Sequence, residues 1–207
     1  MGSSSTTIAL RVEDNIAFLT LNGPPKNELN SHFFESLSHI EKEKLKHLRI
    51  DGLIVEGAGR HFSSGANLPE IEAMCVSNET HAFRQLSANM DTFLTLSRLP
   101  YPVVAVVRGA CLGAGLELAL ACSHRVAEEN AVFALPEVTY DMMPGCGGTV
   151  RLPKLIGAAK ALELILSGRT VAADEALDIG LIDRRVPRGR GVFAAIELIE
   201  SRRRRSP

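Results

Sequence analysis

Glu117 stands three residues past Ala114 in the run Leu112-Gly113-Ala114-Gly115-Leu116-Glu117. An apolar strand, Pro102 to Val107, leads into this run, and a helix-forming segment, Leu118-Ala119-Leu120-Ala121-Cys122, leads out of it. A strand that ends in glycines and restarts as a helix leaves backbone N–H groups unpaired and aimed at one spot, backed by the positive end of the helix dipole. Such a spot takes an oxygen anion. A carboxylate about one helical turn further on lies on the same face, within reach of whatever the amides hold. Amide donors and an acid/base group would then converge. Alone the pattern is unspecific, because Gly-x-Gly before a helix is common and a glutamate in a first turn is favoured by the dipole in any case.

The 207 residues suffice for one sizeable core, and no linker or internal repeat divides them. Hydrophobic residues at 45%, charged residues at 23% and a formal charge of −1 describe an ordinary globular chain without the basic excess of a nucleic-acid binder. The longest apolar runs are far too short to span a bilayer, and the N-terminus has no secretory leader, so a cytoplasmic protein without membrane or nucleic-acid partners is expected. Cys75, Cys111, Cys122 and Cys146 form no Cys-x-x-Cys pair, and the six histidines form no ligand pattern. Reduced structural thiols and no metal are the expectation. A second glycine cluster, Pro144-Gly145-Cys146-Gly147-Gly148, lacks the Lys-Ser/Thr ending of a phosphate loop.

The surrounding elements read as alternating strands and helices. Ile8–Val12 and Ile16–Leu21 flank a polar turn and predict a hairpin. Asn30 or Ser31 caps a helix whose apolar positions are Phe34, Leu37, Ile40, Leu45 and Leu48, with the charged stretch Glu41–Lys46 expected to be solvated. Gly52–Glu56 is a buried strand, followed by a small-residue loop, Gly57–Leu68, of the kind that binds ligands when it is ordered. Glu79–Arg98 is an amphipathic helix with Phe83, Leu86, Met90, Phe93 and Leu94 on one side, a stripe expected to lie in the core. Short strands follow near Val126 and at Ala131–Ala134. Helices follow in the stretch with Arg151 and Leu155, at Gly157–Ser167 and at Ala172–Leu177, before a closing strand at Leu181–Val186. This alternation argues for one α/β domain over 1–187, with 188–207 a short helical and basic tail whose Arg202–Arg205 run is a solvated end.

Several motifs in order resemble the signature of the crotonase (enoyl-CoA hydratase/isomerase) superfamily. They are His61-Phe62-Ser63-Ser64-Gly65-Ala66-Asn67-Leu68-Pro69-Glu70, the strand from Pro102 running through Arg108-Gly109 into Gly113-Ala114-Gly115-Leu116-Glu117, Leu135-Pro136-Glu137, Pro144–Gly148 and Ser167-Gly168-Arg169. The resemblance implies a single-domain α/β fold, a crotonase-type spiral of ββα units, and an acyl-CoA thioester as substrate with no separate cofactor. Ala66 and Ala114 correspond to the residues whose N–H groups hold the thioester oxygen, each contributing about 3 kcal/mol to an enolate-like transition state. The stretch Ala66, Asn67, Leu68 and Pro69 matches the segment that also lines the CoA adenine pocket, with Asn67 where aspartate is usual. Glu117 and Glu137, twenty positions apart, match the two glutamates of the hydratases. Held close in a dry pocket, they would titrate as a coupled pair.

Hydration of an α,β-unsaturated acyl-CoA is the implied activity. The alternatives are Δ3-Δ2 isomerisation, hydration of a cyclic dienoyl-CoA, and a non-catalytic acyl-CoA-binding accessory subunit. Gly145, where dienoyl-CoA isomerases carry aspartate, disfavours that subfamily. Asp141 stands where glycine is usual, and its charge is expected to bear on the titration of Glu137. Arg108 replaces a common asparagine. The chain stops about where the family continues into C-terminal helices that close the acyl pocket and support a homotrimer or hexamer.

Overall fold

Thr7–Glu13 (β1) and Ile16–Asn22 (β2) form the expected antiparallel hairpin, with Asp14 and Asn15 in left-handed conformations at its turn. The computed structural model describes residues 7–76 and 79–203, and the reading of Cys75 lies outside its described side chains. Parallel pairing then links β2 to Gly52–Gly57 (β3), β3 to Val103–Val107 (β4), β4 to His124–Glu128 (β6) and β6 to Arg184–Val186 (β9). A smaller sheet pairs Ala110–Leu112 (β5) with Val132–Ala134 (β7) in parallel, and β7 with Val171–Ala172 (β8) antiparallel.

A strand of the large sheet, a short strand of the small sheet and a helix recur as a unit. Strands β4 and β5 lead to Ala114–Ala121 (α4), and β6 and β7 lead to Gly148–Ile156 (α5) and Ala158–Ser167 (α6). Ahead of them β3 leads through Ser63, bridged in parallel to Cys111, into Leu68–Val76 (α2) and Glu79–Leu96 (α3). This is the spiral of ββα units that the resemblance implies. Two details depart from the sequence reading. The apolar strand does not run straight into the glycine turn, because β5 intervenes. The sequence reading also assigned no element after the small-residue loop, where the structure has α2 from Leu68.

The large sheet is apolar on both faces, as the period-two geometry of a strand allows. Leu19, Leu53, Val55, Val103, Ala105 and Val107 face the main core, shared with α4 and with Ser31–Glu43 (α1). Ile16, Phe18, Ile54, Val104 and Val106 face the other way, against Ala194, Ala195 and Ile199 of Gly191–Arg203 (α8), which follows Ala173–Asp178 (α7) and β9. Residues 191–203, within the segment 188–207 set apart in the sequence as a tail, thus supply the layer that covers this second face, and Arg204 and Arg205 of the basic run lie outside the described residues. Each branched side chain buried there is worth roughly 1.5–3 kcal/mol. Arg203 also pairs with Asp51 at 2.9 Å. No helix among the described residues is long and apolar enough to cross a membrane.

Helix α1 begins as expected, with Asn30 Oδ1 accepting from Phe33 N at 2.9 Å. Its charged end corrects the sequence reading. Glu41 is 1% exposed, and its Oε1 has no hydrogen-bond partner. The helical period itself puts position 41 on the face of Phe34 and Leu37. Burial pushes the Glu41 carboxyl up to about 8, against the pull of Lys46 and Lys42. An acid held protonated by the fold weakens the native state as the pH climbs from its unfolded value toward its folded one. Glu41→Met is therefore expected to raise unfolding free energy at pH 8 by about 1–3 kcal/mol. The gain should shrink on acidification toward pH 4.5, as followed by urea unfolding at several pH values.

Candidate active site

Ser63 and Cys111 bridge in parallel, with Ser63 N donating to Ala110 O and Leu112 N to Ser63 O, both at 3.0 Å. Three residues beyond these partners come Ala66 and Ala114, so the pairing carries both chains side by side into the turn. Gly65 and Gly113 permit the approach, with φ of +100° and +51°, and a Cβ on Gly65 would lie 2.9 Å from Leu112 O and 3.7 Å from Ala114 N. On its other side Ala66 bridges Leu29: Leu29 N donates to Gly65 O at 2.9 Å, and Asn67 N donates to Leu29 O at 3.1 Å. In a parallel bridge the flanking residues make the bonds, so the N–H of Ala66 points away from Leu29. The N–H of Ala114 opens α4 and has no carbonyl within the helix to bind. Two amide donors on adjoining backbones, one at a helix N-terminus, can hold a developing oxyanion.

Glu117, one turn into α4, is 1% exposed. Its Oε1 accepts from Cys146 N at 2.8 Å and from Gly148 N at 2.7 Å, so the second glycine cluster acts as a clamp on this carboxylate. Burial pushes its proton affinity above the ordinary range, opposed by those two N–H bonds and by the Arg151 guanidinium. Glu137 lies on a 3-10 turn, Pro136–Tyr140. Its Oε1 would sit 3.1 Å from a Cβ on Gly113, and its Oε2 is buried without a hydrogen-bond partner. Burial pushes Glu137 up to about 7; its own backbone N–H lowers it, and the charge of Glu117 raises it further. The fold thus brings Ala66, Ala114, Glu117 and Glu137 to one place.

Other singled-out residues stand differently. The Asn67 side chain starts α2, its Oδ1 accepting from Glu70 N at 3.1 Å while its Nδ2 donates to Glu28 at 3.0 Å. Leu68 and Pro69 are exposed on the first turn of that helix. Arg108 Nη2 donates to Gly57 O at 2.6 Å and approaches Glu56 at 3.6 Å, so it ties down the end of β3. Asp141 corrects an expectation: it is exposed, in a left-handed conformation at φ +55°, and the charge that acts on Glu137 is that of Glu117. Its place suits glycine for backbone reasons. The sequence reading missed the Cys146 and Gly148 amides as partners of Glu117. It also placed Leu86 only on the helix stripe, whereas Leu86 lies over the turn, its Cδ1 2.7 Å from where a Cβ on Gly145 would stand.

Comparison with known proteins identifies relatives of the whole described fold. Residues 11–207 match the sequence model of the enoyl-CoA hydratase/isomerase family. A probable enoyl-CoA hydratase of Bacillus subtilis (strain 168) is 39% identical over 179 residues, covering 84% of this chain and 67% of the relative. The crystal structure of an enoyl-CoA hydratase from Bacillus anthracis superposes with a TM-score of 0.86 at 36% identity, over 94% of this chain and 75% of that one. DspI of Pseudomonas aeruginosa superposes with a TM-score of 0.89 at 31% identity, over 100% of this chain and 84% of its own.

The cost of keeping Glu137 unpaired is measurable. Its carboxyl titrates near 7 in the fold against 4.5 ordinarily, so the native state holds the extra proton and loses stability as pH rises through that window. Glu137→Gln should be more stable than the parent at pH 8 by about 1 kcal/mol, after allowance for solvent screening. The difference should fade toward pH 4.5 in thermal unfolding scans.

Proposed function

This chain belongs to the enoyl-CoA hydratase/isomerase family, and from that premise we propose that it adds water across the double bond of an α,β-unsaturated acyl-CoA thioester. The observation that carries the reading is the unlike bonding of two glutamates beside the same pair of amides. Two backbone N–H donors on Glu117 Oε1 favour its ionised form, which suits it to accept a proton from water. Glu137, with a buried and unpartnered oxygen and a carboxyl raised to about 7, is suited to carry the proton that is delivered.

In the proposed step the water oxygen bonds to the β-carbon as its proton passes to Glu117. The π electrons move toward the thioester, whose oxygen gathers negative charge against the Ala66 and Ala114 N–H groups. Glu137 then protonates the α-carbon, and proton exchange with solvent resets the pair. The scheme uses no metal and no redox cofactor; the CoA thioester is itself the substrate.

Purified protein is expected to consume crotonyl-CoA or a cyclic dienoyl-CoA, read as loss of the conjugated thioester absorbance. Glu117→Gln and Glu137→Gln should each lower kcat by about 10²–10⁴-fold. Wild-type-like turnover in both variants overturns the reading. Loss in Glu137→Gln alone, with a shifted double bond as product in isotopic water, replaces hydration by Δ3-Δ2 isomerisation. Tight binding of acyl-CoA with no turnover points to the accessory subunit.

The backbone donors can be tested separately. Proline is tolerated at the first position of a helix, where its missing N–H has no helical partner to lose. Ala114→Pro should leave the melting temperature near that of the parent while lowering kcat by about 10²–10³-fold, the cost of one oxyanion donor.

A further inference from the structure

The turn that clamps Glu117 is itself clamped. Arg151, in the first turns of α5, reaches back so that its Nη1 donates to Cys146 O at 2.6 Å, while its backbone N donates to Gly147 O at 2.9 Å. Gly147 has a φ of +100°, and a Cβ there would collide with Arg151 Nη1, so the guanidinium lies against bare backbone. The residue therefore touches the peptide stretch that delivers the two N–H donors of Glu117, and its positive charge acts on that buried carboxylate.

The other charged or titratable groups around that carboxylate are few. The turn contributes the buried Cys146 thiol, and the 3-10 turn contributes Glu137, which is of like sign. Strand β5, Ala110–Leu112, carries no charged residue but holds the buried Cys111 thiol, and α4 ends at the buried Cys122 thiol, on which Arg151 also acts. Helix α3 shows apolar Leu86 to the turn at Gly145, and its described charged side chains, Arg84 and Asp91, are exposed. Among the described groups Arg151 is the cation that bears on Glu117, and it lowers that residue's proton affinity against the effect of burial.

We propose that Arg151 is a positioning residue for the reaction: it fixes the Cys146–Gly148 turn so that the two N–H groups hold Glu117 in line for water, and it supplies the charge that keeps this carboxylate ready to accept a proton. The proposal rests on the hydration reading for the reaction, but its physical core, the control of Glu117 by Arg151, is independent of turnover.

Three variants separate charge from contact. Arg151→Met removes both, Arg151→Gln keeps a short neutral donor, and Arg151→Lys keeps the charge. Arg151→Met is expected to lower kcat by about 10²-fold, as small misplacements of a catalytic group do, with KM for the thioester changed by less than about threefold. The titration of the Glu117 carboxyl, followed by carbon-13 NMR in the free protein, should move to higher pH in Arg151→Met and Arg151→Gln and return toward the parent in Arg151→Lys. An unmoved titration in folded Arg151→Met or Arg151→Gln overturns the proposal, as does a loss of kcat matched by a rise in KM. If Arg151→Met does not fold, Arg151→Gln and Arg151→Lys carry the same comparison. If the parent turns over no enoyl-CoA, the hydration reading fails, and the NMR titration alone decides the role of Arg151.

Discussion

The parallel bridge between Ser63 and Cys111 is the constraint on which the site depends. Because the two chains run in the same direction from that bridge, equal steps along each arrive at Ala66 and Ala114 together, and a slip of one residue would turn one of the donors away. The bridge is held in place from behind. Ser63 Oγ donates to Asn27 O at 2.8 Å and accepts from Gly65 N at 3.1 Å. Asn27, fully buried, spreads its Nδ2 over the carbonyls of Ala58 and His61 at 2.9 Å and Phe62 at 3.2 Å. A loop with few apolar residues of its own is therefore ordered by one buried amide side chain, which satisfies backbone groups that would otherwise be costly to bury.

A second consequence of the register is that two chemically identical side chains acquire unlike characters. Glu117 is tied by two amides of a neighbouring turn, while Glu137 keeps a buried oxygen unpaired. The helix that carries Glu117 is also fixed at its far end, where buried Arg125 donates to Ala119 O at 3.3 Å, Cys122 O at 2.8 Å and Leu181 O at 2.8 Å. Ala119 and Cys122 lie at the C-terminal end of α4, where a cation suits the dipole, and Leu181 O ties the same guanidinium to the chain that follows α7. Both ends of α4 are thus determined by groups outside it.

What the sequence disclosed and what it hid follow physical lines. The Asn30 cap, the hairpin around Asp14 and Asn15, and the span of α3 were legible because each depends on neighbours in the chain, but the stripe of α3 was misread as core: Phe93 is buried, while Phe83, Leu86, Met90 and Leu94 are exposed. The nearness of Glu117 and Glu137 was legible through the ordered motifs around them. Strand β5 was not, because three residues are too few for an alternation to show and their partner lies in β7. Helix α2 was hidden because its apolar residues do not gather on one side, as the exposure of Val76 attests. Glu41 was misread through its residue type, although its spacing from Phe34 and Leu37 already pointed inward. The clamp of Cys146 and Gly148 on Glu117 had no local signal at all, since backbone amides carry no side-chain identity and the contact spans some thirty residues.

The two-faced sheet also sets an order of assembly. Strands β2, β3 and β4 are complete by Val107, whereas the helix that covers their outer face begins at Gly191. At ribosomal rates of ~5–20 residues per second, several seconds separate the two. Throughout that interval Ile16, Phe18, Ile54, Val104 and Val106 present a bare apolar surface on the nascent chain. The inner face of the sheet can gather its core early, whereas its outer face has no cover until α8 is made.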